Sequence, residues 1–143
     1  MLAAMKPRIA QLVLAACLLP AAAAAQTVTL DQGGKAVRIA VGEAAVLPAD
    51  FPVDIPLPAP HAVLRVQHSG ATTTVSIEAP GTVDDAAARF DAGMRAQGWI
   101  AARVNVPPVG RAQAWEKDRR AVVAWWQPSA TGVQVQLELL PPR

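Results

Sequence analysis

Apolar and polar residues alternate along several segments of the chain, and this period of two predicts β-strands with one buried face. The pattern is clearest in residues 133–140, where glutamine or glutamate separates successive valines and leucines. A hairpin is predicted for residues 62–69 and 71–78, with a turn at Ser69 and Gly70. Its predicted buried face comprises Leu64, Val66, Val75 and Ile77, and its predicted solvent face comprises Arg65, Gln67, Thr72, Thr74, Ser76 and Glu78.

Between residues 82 and 98 the apolar spacing changes to the period of an α-helix, which predicts a helix packed on a sheet. Thr82, with Asp85 three residues later, has the pattern of a capping box at the start, and Gly98 suits the left-handed residue at the end. Gly93 costs a helix about 1 kcal/mol relative to alanine, so we expect a close approach between helix and sheet there. The apolar stripe comprises Val83, Ala87, Phe90 and Met94.

Residues 26–41 alternate on both sides of Gly33 and Gly34, which predicts another hairpin with a tight turn. Residues 48–60 contain five prolines, so neither a helix nor a central strand can run through them. We interpret this segment as an extended strap that lies along the domain, because apolar side chains precede and separate the prolines. Those side chains are Val46, Leu47, Phe51, Val53, Ile55 and Leu57.

Four further strands are predicted after the helix, in residues 99–106, 111–117, 119–127 and 133–140. The element order ββαββββ in residues 61–143 predicts an α+β fold, a twisted antiparallel sheet of about four to six strands with one helix packed on one face. We expect the hairpin and strap of residues 26–60 to cover an edge or an end of this sheet and to form a single domain with it.

The first 25 residues have the arrangement of a secretory signal peptide. Two basic residues, Lys6 and Arg8, precede an apolar run and an alanine-rich stretch that ends at Ala25. This pattern predicts cleavage after Ala25 and therefore a periplasmic or secreted bacterial protein. Alternatively, Cys17 ends a sequence that fits the box before a lipidated cysteine, and the domain would then be anchored to a membrane.

Removal of the predicted signal peptide makes the chain formally neutral. The sequence has 13 Lys and Arg against 11 Asp and Glu, and Lys6 and Arg8 are the basic residues before Ala25, so eleven of each sign remain. This balance excludes binding to nucleic acid or to an anionic membrane through net charge. Because Cys17 is the single cysteine, the rest of the chain cannot form an internal disulfide.

Asp50, Asp54 and His61 are the candidate catalytic or metal-binding residues. Prolines hold the backbone extended between the two aspartates, whose carboxylates can share a cation or act as acid and base. In a second interpretation, both accept hydrogen bonds from backbone amides in proline-rich turns. His61 and His68 differ in strand parity, so we do not expect a metal pair. The sequence has no zinc motif and no serine nucleophile elbow, and we expect no cofactor.

The chain has four tryptophans and no tyrosine. Trp125 and Trp126 are adjacent in one predicted strand, so one of them faces away from the helix-covered side. With Trp99 or Trp115 on a neighbouring strand, the outward ring would form a stacking platform for a glycan, a peptide or a partner protein. The other interpretation is a second small core beneath the strap.

Three short motifs lie between roughly residues 47 and 127. They are the strap with its leucine-proline entry, Leu47-Pro-Ala-Asp-Phe-Pro-Val-Asp-Ile-Pro-Leu-Pro58, the helix end Met94-Arg-Ala-Gln-Gly-Trp99 and the hairpin Trp115-Glu-Lys-Asp-Arg119. Together they resemble a loose group of small exported bacterial proteins without an assigned function. The resemblance implies a periplasmic or lipid-anchored domain with an antiparallel sheet and a helix, and it carries no catalytic residues.

These observations favour a non-enzymatic envelope domain that binds a protein, a peptide or a glycan through the strap and the outward tryptophan. One alternative is a small periplasmic metal-dependent hydrolase that uses Asp50, Asp54 and His61. Another is a structural subunit of an envelope complex.

Overall fold

The computed structural model describes residues 25–143; residues 1–24 of the predicted signal peptide, including Cys17, lie outside them. The described residues form eight strands, one α-helix and a short 3-10 helix at Gly42–Ala44. In chain order the elements are β1 (Gln26–Gln32), β2 (Lys35–Val41), β3 (Ala62–Ser69), β4 (Thr72–Ala79), α1 (Val83–Ala96), β5 (Ile100–Ala102), β6 (Arg111–Lys117), β7 (Arg120–Pro128) and β8 (Val133–Leu140).

All eight strands pair antiparallel in one sheet, in the order β1-β2-β3-β4-β8-β7-β6-β5. The predicted α+β class with one helix is therefore confirmed. The predicted count of four to six strands is too low, because the first hairpin extends the sheet. Val37 and Val41 of β2 lie opposite Ser69 and Arg65 of β3 in an unbroken register.

The last strands return the chain to the middle of the sheet. After β4 the helix carries the chain to the far edge, where β5 starts, and β6, β7 and β8 follow back until β8 pairs with β4. β5 has three residues, fewer than the predicted 99–106, and the chain leaves the sheet ahead of Pro107 and Pro108, which cannot donate ladder hydrogen bonds. Within residues 25–143 no helix is long and apolar enough to cross a membrane.

The helix packs over β5, β6 and β7 through its predicted apolar stripe. Ala87, Phe90 and Met94 are buried. The Phe90 ring makes edge contacts with Trp115 and Trp126, with centroids 5.1 and 5.5 Å apart. Such aromatic pairs add about 0.5–1.5 kcal/mol each beyond the burial of their area.

The helix ends where the sequence predicts. The hydroxyl oxygen of Thr82 accepts a hydrogen bond from the backbone N–H of Asp85 at 3.3 Å. Gly98 has a φ of +83°, a left-handed conformation that glycine adopts without steric cost.

The strap covers the other half of the same sheet face, whereas the sequence predicted that it covers an edge or an end of the sheet. Ile55 is buried among sheet residues, and Leu47, Phe51 and Leu57 pack against that core. Val53 is fully exposed, however, because it lies at the corner of a turn in which the N–H of Ile55 donates to the carbonyl of Pro52. Val46 is also mostly exposed.

A β-bulge corrects the predicted buried face of β3. The register shifts between Val63 and Arg65, so Val63 lies opposite Ile77 and packs on the core in place of Leu64. A bulge adds one residue to a strand and reverses the side-chain parity beyond it.

The predicted solvent exposure of Ser76 in β4 is also wrong. Ser76 is buried, and its short side chain lies in register between the longer Arg65 and Gln136.

The close approach at Gly93 is to the strap, not to the sheet as predicted. A methyl group added at Gly93 would lie 2.6 Å from Cγ of Pro56 and 3.1 Å from its Cβ. Real side chains do not tolerate the shorter distance, and the proline ring cannot rotate away. The glycine therefore allows the helix and the strap to pack against each other.

We expect Gly93→Ala to lower the free energy of unfolding by about 1–3 kcal/mol, as overpacking does. Helix propensity alone would raise the free energy of unfolding by about 1 kcal/mol. The sign of the change measured in a urea titration therefore shows which of the two effects is larger. Ala92→Gly, on the exposed side of the helix, is the control and should cost about 1 kcal/mol. Pro56→Ala should reduce the penalty of Gly93→Ala, and a stabilising Gly93→Ala would contradict the assigned contact.

Candidate functional site

A groove of about 400 Å³ lies between the strap and the end of the sheet where β4 starts and β8 ends. Phe51 and Ile55 line it from the strap, and Leu139 and Leu140 line it from β8. Trp99 contributes to the wall, and prolines from the strap and the C-terminal segment complete it. We call this cavity the strap groove; its prolines are Pro48, Pro52, Pro141 and Pro142.

Three polar residues also line the strap groove, and two of them already have partners. They are Asp50, Thr73 and Arg120. Oγ1 of Thr73 lies 3.1 Å from Nδ1 of His68. The Arg120 guanidinium donates two hydrogen bonds to the carboxylate of Asp54, at 3.1 Å to Oδ1 and 2.7 Å to Oδ2. The lining therefore offers few free polar groups among many apolar ones.

Asp54 joins the strap to the β6–β7 hairpin. Besides the two bonds from Arg120, its Oδ2 accepts a hydrogen bond from Nζ of Lys117 at 3.0 Å. The Asp54 side chain is only 17% exposed, so solvent screens these charges less than on an open surface. Lys117 Nζ also donates to the carbonyl of Gln97 at 2.6 Å, which ties the end of the helix into the same cluster.

Trp99 makes two further contacts with this cluster. Its indole N–H donates to the backbone carbonyl of Asp54 at 2.8 Å. The guanidinium carbon of Arg120 lies 4.8 Å from the centre of the Trp99 ring, a cation–π distance. We call Asp54, Trp99, Lys117 and Arg120 the strap clamp.

The strap clamp shifts the titration of its own groups. The hydrogen bonds from Arg120, more than those from Lys117, lower the pKa of Asp54 to about 2 against the opposing effect of burial. The carboxylate in turn raises the pKa of Arg120. Asp54 is therefore ionised at any pH at which the protein would function, and its charge is committed to the two cations.

The three residues of the hydrolase hypothesis do not form one cluster in the described part of the chain. The carboxylate of Asp54 belongs to the strap clamp, and Asp50 is exposed at the strap groove. His61 is exposed, with Nδ1 2.6 Å from the carbonyl oxygen of Pro58. Among residues 25–143, no three His, Cys, Asp or Glu side chains come close enough together to hold a metal ion.

Three of the four tryptophans are buried, so they cannot form the predicted stacking platform. Trp99, Trp115 and Trp126 are between 1% and 3% exposed. Trp126 donates its indole N–H to Oε1 of Gln113 at 2.9 Å, and Trp115 donates to Oδ1 of Asp91 at 3.4 Å. Neither second ring proposed for the platform, Trp99 or Trp115, reaches the surface beside Trp125.

Trp125 is the outward tryptophan, on the sheet face opposite the helix. We call this side of the sheet the open face. Trp125 lies in register with Gln136 of β8 and Ala112 of β6. It borders a shallow hollow with Arg103 and Asn105. The indole is partly buried, so it offers only part of its ring to a ligand.

Sequence patterns did not identify the strap groove. Its walls come from Pro48–Ile55 and Leu139–Pro142, which are far apart in the chain and meet only because β8 returns to pair with β4. The one available signal was the unusually apolar content of the strap, which predicted a covered surface and not a cavity.

We expect Asp54→Asn to lower the free energy of unfolding at pH 7 by about 1–2 kcal/mol, because the ion pair is partly screened by solvent. The folded pKa lies below the unfolded one, so this stability is present above about pH 4 and is lost as the pH falls towards 2. The variant should lack that pH dependence in urea titrations. Asp84→Asn is the control. The carboxylate of Asp84 is 89% exposed beside Arg111, so this substitution should change the free energy of unfolding by less than about 0.5 kcal/mol. Equal losses in both variants would contradict the strap clamp.

Comparisons with protein-family models, with curated proteins and with solved structures found no match for this chain. The resemblance to small exported bacterial proteins therefore stays a prediction.

Proposed function

We propose that the chain is an exported, non-enzymatic binding domain of the bacterial envelope, and that its strap groove takes an extended apolar segment of a partner polypeptide. The observation that carries this proposal is the apolar groove itself, whose strap wall is fixed by a charged cluster. Export to the periplasm rests on the signal-peptide pattern before Ala25.

The lining favours a polypeptide over a glycan. A sugar presents hydroxyl groups that need several polar partners. Of the three polar side chains in the strap groove, Thr73 and Arg120 are already engaged, which leaves Asp50. Its apolar walls gain most from burying aliphatic or aromatic side chains, at about 25 cal/mol per Å². Phe51 and Leu139 are partly buried apolar side chains of the two walls, so they are available for such contacts.

The size and shape of the groove favour a segment of chain over an enclosed small molecule. Its volume of about 400 Å³ lies in the lower part of the range for ligand sites. It is partly open to solvent, so an extended backbone can remain hydrated while its side chains enter. A short stretch with two or three apolar residues fits these limits.

The strap clamp makes binding less costly. A loop that must order itself when a ligand binds gives up part of the interaction energy as conformational entropy. Asp54 already fixes the middle of the strap, at 17% exposure of its side chain, through Lys117 and Arg120. The groove is therefore formed before the partner arrives.

We expect short peptides with apolar side chains to be enriched from a random peptide display library on the wild-type protein. In a heteronuclear NMR titration, such a peptide should shift the indole N–H signal of Trp99, which lines the groove, and leave that of Trp125 unchanged. Phe51→Asp, on the strap wall of the groove, should weaken binding by about tenfold or more. Val53→Asp, on the fully exposed corner of the strap, is the matched control and should bind normally.

A soluble muropeptide tests the glycan alternative in the same titration. A muropeptide or peptide that moves the Trp125 signal alone, or full peptide binding by Phe51→Asp, would contradict the proposal. Copurification of a stoichiometric partner from membranes, unaffected by Phe51→Asp, would favour the structural-subunit alternative instead.

A further inference from the structure

Strand β1 is an unprotected sheet edge. Within residues 25–143 it pairs only with β2, over all seven residues Gln26–Gln32 and without a bulge. Exposed edges are usually protected by proline, lysine, a bulge or a very short strand. β1 has none of these features, and Asp31 is its single charged residue. The opposite edge of the sheet, β5, is only three residues long.

The turn after β1 determines which backbone groups of that edge are free. Gly33 and Gly34, with φ of +62° and +82°, form a two-residue turn between Gln32 and Lys35. In such a hairpin the flanking pair exchanges both backbone hydrogen bonds, and alternate residues direct theirs towards the partner strand. Thr27, Thr29 and Asp31 therefore direct their N–H and C=O groups away from β2.

We propose that a second copy of this chain pairs with β1, antiparallel and centred on Thr29. In this register Thr29 lies opposite Thr29 of the other copy, and Thr27 lies opposite Asp31. The outward groups of these three residues then form complementary ladder bonds in both directions. Because the pairing is symmetric, one sheet of sixteen strands results, twice the eight of one chain.

The side chains of β1 support the same register. Val28 and Leu30 are 46% and 44% exposed, and both lie on the open face, opposite Ile39 and Val37 of β2. Pairing places Val28 of each copy opposite Leu30 of the other, so four exposed apolar side chains gain partners. No two like charges lie opposite each other, because Asp31 lies opposite threonine.

The proposed interface is small. Edge pairing over one strand buries less than the standard interface, so we expect a weak dimer that forms at concentrations on the order of 100 µM. The proposed dimer is independent of the strap groove. The groove lies beyond β3 as seen from β1, so it remains accessible in the dimer.

The register is tested by disulfide trapping in a Cys17→Ser background, because Cys17 is the only cysteine of the chain. Opposite residues of a hydrogen-bonded antiparallel pair lie about 5.5 Å apart at Cα, within disulfide range. Thr29→Cys should therefore form covalent dimers under mild oxidation. Thr27→Cys alone is the matched control and should remain monomeric, whereas a mixture of Thr27→Cys and Asp31→Cys should form mixed dimers.

Sedimentation of the uncrosslinked protein provides a second measurement. The wild type should show a concentration-dependent dimer, and Thr29→Pro should abolish it, because proline removes an outward N–H without breaking a bond to β2. The proposal would be overturned by a wild type that stays monomeric at millimolar concentration. It would equally be overturned if Thr27→Cys crosslinked as readily as Thr29→Cys, or if Thr29→Pro dimerised normally, since another surface would then be responsible.

Discussion

The ion pair between Asp54 and Arg120 is the interaction on which the arrangement of the strap depends. A proline-rich segment cannot add a strand to the sheet, so it lacks the ladder of backbone hydrogen bonds that holds the other elements. The described chain also has no disulfide to hold it. Instead, the Asp54 carboxylate accepts hydrogen bonds from two cations of the β6–β7 hairpin, Lys117 and Arg120, and Trp99 holds the backbone at the same residue.

The strap and the helix together bury one face of the sheet, and they depend on each other. Gly93 allows Pro56 to contact the helix, and Lys117 connects the strap clamp to the helix end. The strap wall of the groove is therefore set by the same contacts that complete the core. On the opposite face Trp125 is partly exposed, and Val28 is exposed at the edge strand β1.

The sequence predicted the elements well because their signals are local. The helix from Val83 and the hairpin strands follow from periods of 3.6 and two within single segments. Contacts between residues that are far apart in the sequence produce no local pattern of this kind. Asp54 lies 63 residues from Lys117 and 66 from Arg120, so its role as an ion-pair centre was not predictable. Trp125 and Trp126 have equally apolar neighbours of their own parity, and only the position of the helix determines which one is buried.

A double-mutant cycle between Asp54→Asn and Arg120→Gln tests the central claim most directly. If the ion pair fixes the strap, the two substitutions share one loss, and urea titrations should give a coupling energy of about 1–2 kcal/mol at pH 7. The same cycle at pH 2, where the Asp54 carboxylate is about half protonated, should give a clearly smaller value. Additive effects of the two substitutions at pH 7 would contradict the account.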